Sequence, residues 1–112
     1  MRLELTQQAV ERIEERRKER RLRIEDLPNA YKDILRRVKR KGKTLAFHTT
    51  IFDIARTIDI DIEELVEIDY DKLTDFELDE LQEEHRRTLE EGTDTAELLV
   101  ALSATTGSKE AI

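Results

Sequence analysis

At 112 residues the chain has room for one compact domain with an appendage. Charged residues make up 42% of it, far above the usual quarter, and aromatics only 4% with no Trp, so any core is thin and built from Ile, Leu and Val on helix faces. No run approaches the roughly 20 apolar residues of a membrane span, no cysteine offers a disulfide or a thiolate zinc site, and no signal-peptide pattern opens the chain.

The elements expected in chain order are helices. Thr6 caps a first helix that turns Val10 and Ile13 inward and a mixed-charge run from Glu14 to Arg21 outward. Leu22, Ile24 and Leu27 restore an apolar signal before Pro28, the one proline, which suits a helix start. Ala30, Ile34, Leu35 and Val38 then recur at helical spacing up to Gly42, a C-terminal stop, so a helix is expected over 30–41. Thr50, Ile51, Ile54, Ala55 and Ile58 form the stripe of a further helix. Asp61 with Glu64, and Thr74 with Glu77, each have the spacing of a capping box. The second of these opens a helix that Gly92 ends, with Phe76, Leu78, Leu81 and Leu89 inward. Asp94 opens a last helix carrying Leu98, Leu99, Val100 and Leu102, and the residues from Ser103 read as a frayed tail. Strand signals are weak throughout. The expected fold class is all-α: a helical bundle over 1–70 with an acidic helical extension over 71–112.

Net charge is −7, but its distribution is uneven. Residues 1–43 hold 15 Lys and Arg against 8 Asp and Glu, a net of +7, and residues 44–112 carry −14. A phosphate backbone responds to the local field, so this asymmetry points to a nucleic acid partner. The basic residues concentrate in one segment, where Lys32, Arg36, Arg37, Lys39, Arg40, Lys41 and Lys43 face a single acid, Asp33. With the apolar positions turned inward, those cations spread over the outward surface of a helix that fits the major groove. A plain solvated basic face is the alternative.

The run Arg12 to Leu22, followed by Glu25 and Leu27, resembles the first two helices of the Cro/phage-repressor (XRE) helix-turn-helix family. Thr50 to Ile58 and Asp61 to Leu65 look like that family's fourth and fifth helices, so the resemblance runs from Arg12 to about Glu67. Ile24 stands where the family usually carries Gln, and Pro28 falls within the second helix. The resemblance implies a helix-turn-helix-like module and sequence-specific binding through a recognition helix starting near Asn29. Asn29, Tyr31, Lys32 and Asp33 would then lie nearest base edges, with Arg36, Arg37 and Arg40 on phosphates. It further implies a dimeric repressor of the cytoplasmic nucleoid, bound to double-stranded DNA and acting by promoter occlusion.

Other chemistry is weakly signalled. His48 and His85 are the only histidines and stand far apart, the acidic run from Asp59 to Asp71 lacks the glycine turn of a calcium loop, and three glycines form no phosphate loop. No metal, cofactor or enzymatic activity is therefore expected. The acidic segment Asp69 to Glu97 has three readings: packing on the N-terminal helices, a homodimer interface, or an arm for a protein partner as in antitoxins or adaptor subunits. RNA is a further alternative for the basic segment, with only Tyr31 and Phe47 near it as aromatic platforms.

Overall fold

The computed structural model describes residues 1–91; the last helix expected from Asp94, and the stop at Gly92, lie outside them. The described part is mostly helical, with four α-helices and one small sheet. That sheet corrects the expectation of helices alone. Strand β1 (Arg2–Thr6) pairs antiparallel with β2 (Lys43–Phe47), in a register that sets Arg2 opposite Phe47 and Thr6 opposite Lys43. Leu5 and Ala46 turn to the core while Arg2, Glu4, Leu45 and Phe47 lie outward, as a half-covered sheet allows.

Helix α1 (Gln7–Glu19) starts where the Thr6 hydroxyl accepts from the Ala9 N–H at 3.2 Å, and it buries Ala9, Val10 and Ile13. Where a second helix would stand in a helix-turn-helix, the chain makes a single 3₁₀ turn, Ile24–Asp26, closed by Asp26 accepting from the Arg23 N–H at 2.7 Å. Pro28 limits anything longer, because it lacks an N–H and disfavours helical geometry at the residue before it.

Helix α2 (Ala30–Lys41) has the expected limits. Its phase differs, however. Tyr31, Ile34 and Val38 are buried, whereas Ala30 is exposed and Leu35 only half-buried. The larger Tyr31 ring displaces the small Ala30 from the inward stripe. Gly42 ends the helix at φ +84°, a left-handed conformation that suits glycine, and its N–H reaches the Val38 carbonyl at 2.7 Å. Strand β2 follows at once and leads into α3 (His48–Ile58), which buries Ile51, Phe52, Ile54, Ala55 and Ile58.

Beyond α3, Asp61 makes no side-chain cap. The Glu64 N–H bonds the Asp61 carbonyl instead, in a 3₁₀ turn over Ile62–Glu64. A further turn, Tyr70–Lys72, precedes α4 (Asp75–Glu91). Here the capping box forms: Glu77 accepts from the Thr74 N–H at 3.0 Å and Thr74 from the Glu77 N–H at 3.1 Å. The face of α4 that packs matches the expected one only at Leu78, which is half-buried, and Leu81. Leu81 is buried in the common core, but Phe76 and Leu89 are 71% and 64% exposed. Phe76 lies about 140° round the helix from Leu81, so the two cannot share one contact. Glu84 and His85 take its place, through Arg56 and the Phe52 ring respectively. Among the described residues no helix is long and apolar enough to cross a membrane.

Candidate nucleic-acid interface

The position of α2 is set by a buried polar link to α1. The Tyr31 hydroxyl, wholly buried, donates to Glu14 at 2.7 Å. Arg17 donates to the same carboxylate through Nε at 3.1 Å and Nη2 at 2.7 Å, and its Nη1 donates to the Leu22 carbonyl at 2.7 Å. The Arg17 hydrogen bond holds Glu14 below the usual carboxylate range despite partial burial, with the Tyr31 bond acting the same way. Burial, and then the Glu14 carboxylate, push the Tyr31 hydroxyl above its ordinary range. The other end of α2 is held where the Gln7 N–H bonds the Gly42 carbonyl at 3.0 Å. Helix α2 is thus tied to α1 at both ends.

Its outward surface carries the cations expected there. Lys32, Arg36, Arg37, Lys39, Arg40 and Lys41 are all exposed, and Lys43 continues the row into β2. Asp33 binds two of them: Arg36, in a close charge-assisted contact, and Arg37 at 3.0 Å. The Arg36 hydrogen bond, and then the Arg37 charge, lower the Asp33 pKa, so this carboxylate is ionised at neutral pH. Lys43 reaches Glu4 across the sheet at 3.4 Å. Lys32, Lys39, Arg40 and Lys41 have no ion-pair partner among the described residues. Asn29 occupies the N-cap position in helical geometry with no side-chain cap, and it is exposed at the same end as Lys32.

Tyr31 is a correction. A residue bonded to Glu14 and without exposed surface does not reach a base edge. The remaining eight residues assigned to the interface from the sequence, Asn29, Lys32, Arg36, Arg37, Lys39, Arg40, Lys41 and Lys43, are exposed on α2 and the start of β2.

Two residues that the sequence pattern did not single out, Arg2 and Leu45, stand beside them together with Phe47, which it named only as an aromatic platform for RNA. Leu45 and Phe47 are 54% and 59% exposed on β2, and the Arg2 guanidinium lies over the Phe47 ring, 5.5 Å from its centroid. With Asp33, Arg37 and Thr50 they line a groove of about 190 Å³ between β2 and α2. The sequence holds no signal for them: Leu45, Ala46 and Phe47 are all apolar, and alternation alone would turn the larger Leu45 and Phe47 inward.

The acidic part of the chain docks on α3. Arg56 sits between Asp53 and Glu84, 3.2 Å from the latter, and also donates to Thr88 at 3.1 Å. Glu84 is 4% exposed and keeps Arg87 at 3.2 Å as a further partner. Elsewhere Glu4, Glu63, Glu64 and Glu67 line a cleft between β1 and the turn at Ile62–Glu64, where Arg12 reaches Glu64 at 2.8 Å. Among the described residues no His, Asp and Glu side chains gather closely enough to hold a metal ion. Comparison of the chain with protein-family models, with curated proteins and with solved structures returns no match.

Proposed function

We propose that the chain binds double-stranded DNA through the outer face of α2 and acts as a sequence-specific regulator. One observation carries this reading: seven exposed cations lie along one helix and the strand after it, with Asp33 and Glu4 as their ion-pair partners. A helix held at both ends keeps such a row in register with a phosphate backbone, because little segmental order is left to be imposed on binding. In this reading Ile24–Asp26 stands for a shortened second helix of the Cro/phage-repressor arrangement and α2 for its recognition helix. Asn29 and Lys32 lead into the major groove while Arg36, Arg37, Lys39, Arg40, Lys41 and Lys43 meet phosphates. Two copies on a palindromic site would repress by covering the promoter.

The test is binding of the purified chain to a random duplex, followed by fluorescence anisotropy across a salt series. Six cations on phosphates, at about 0.9 each, give a slope of log K against log salt of about −5. No binding at low salt, or a slope near zero, would sink the proposal.

A second reading is an interaction module of the antitoxin or adaptor kind. It is favoured by Phe76, 71% exposed on α4 next to a surface depression lined by Asp79, Glu80 and Glu83. This face would take a basic protein, and the chain would then ignore duplex at low salt.

A further inference from the structure

The groove between β2 and α2 is not needed for phosphate binding, and its chemistry is different. Ala46 alone supplies the inward contact of this end of β2, at 8% exposure, while Leu45 and Phe47 on either side are turned to solvent. Single exposed apolar residues are ordinary. Here, however, an aromatic ring, a guanidinium beside it and a hydrogen-bonding pair converge on one groove. Arg2 lies over the Phe47 ring, and the groove also presents the Asp33 carboxylate and the Arg37 guanidinium, held 3.0 Å apart.

We infer that this groove receives one unpaired nucleobase of a DNA strand whose phosphates lie on α2, an inference that rests on the DNA-binding reading above. A base is planar, apolar on its faces and polar at its edge. The groove matches each part: Phe47 and Leu45 offer surface to the face, while Asp33 accepts and Arg37 donates at the edge. Its volume of about 190 Å³ is on the scale of a single nucleobase. The occupant is anionic on its backbone, which agrees with Arg2 and Arg37 at the groove and Arg36 and Arg40 farther round α2. A base inside a continuous duplex has both faces covered by its neighbours and cannot enter. The groove therefore selects an unpaired base, as at a bulge, a frayed end or a melted step, and adds to the affinity that α2 has for the paired flanks.

The chain has no tryptophan, so Phe47→Trp installs a single reporter at the groove. Three duplexes of one sequence are compared: fully paired, with a one-nucleotide bulge, and with an abasic nucleotide at the bulge. Stacking of one base on an aromatic side chain changes affinity by a factor of about 5 to 150. The wild-type chain is expected to bind the bulged duplex about ten-fold more tightly than the other two, and Phe47→Ala to lose that preference while keeping its affinity for paired duplex. The fluorescence of Phe47→Trp should be quenched by the bulged duplex and not by the abasic one. Equal affinity for all three duplexes, or equal quenching by the bulged and abasic ones, overturns the base site and leaves the α2 reading standing. Failure to bind any of them at low salt overturns both.

Discussion

Replacing Tyr31 with Phe separates the two roles that its place in the basic helix suggests. The hydroxyl is buried and donates to Glu14 at 2.7 Å, so its removal deletes one hydrogen bond to a charged acceptor. Such bonds contribute about 1.5–3 kcal/mol, but Glu14 keeps two bonds from Arg17 and is not orphaned. The cost should fall at the low end, about 1–2 kcal/mol, with no large cavity because the ring remains. In urea this appears as a lower midpoint with an unchanged m value. A second signature lies at high pH. The Tyr31 pKa is raised in the folded chain, so its stabilising contribution is complete below the unfolded value near 10 and is lost as pH rises past it. At pH 11 the wild-type chain should have lost about 1.4 kcal/mol through this group, a loss absent from Tyr31→Phe. Tyr70 shifts in the same direction but is exposed, and it leaves only a shallow residual slope in both proteins. DNA affinity at neutral pH should not change. An unaltered urea midpoint and alkaline limb, or weakened DNA binding by the folded variant, would refute the assignment of Tyr31 to the core.

Asp33→Asn should strengthen DNA binding several-fold at low salt, because it releases Arg36 and Arg37 from their shared acid, at a stability cost below about 1 kcal/mol for the lost first-turn charge; a salt titration of affinity checks this. Arg56→Ala strips the buried Glu84 of its main partner and should destabilise the fold by about 3 kcal/mol, with partial recovery in the double variant with Glu84→Gln, both read from thermal melts. Gly42→Ala meets no atom within 4 Å, so its cost is the left-handed backbone alone, about 1 kcal/mol, measurable in the urea midpoint.

Local chemistry was legible in the sequence and long-range pairing was not. The ends of α2 follow from Pro28 before it and Gly42 after it, and the start of α4 from Thr74 and Glu77, all within a few residues of the feature they determine. The phase of α2 was harder. Ala30 and Tyr31 are adjacent and both can serve a core; Tyr31 shares the face of Ile34 and Val38, and the bond to Glu14 on α1 satisfies its hydroxyl there. The sheet was hidden for a related reason. Each strand is five residues long, and Arg2 meets Phe47 across most of the N-terminal half of the chain, so neither segment signals the pairing alone. That pairing carries Arg2, Leu45 and Phe47 to the edge of the basic helix. The buried Glu84 likewise depends on Arg56, which no spacing along α4 reveals.

Binding of the phosphate backbone by the outer face of α2 is decided by the triple variant Arg36→Ala, Arg37→Ala, Arg40→Ala on one duplex across a salt series, with circular dichroism to verify the fold. These side chains are exposed and Arg40 has no ion-pair partner among the described residues, so the fold should persist. Affinity should drop at every salt concentration, and the slope should flatten by about two to three units, close to one for each phosphate that is no longer neutralised. A folded triple variant that binds with the wild-type affinity and slope throughout would show that this face does not carry the phosphates.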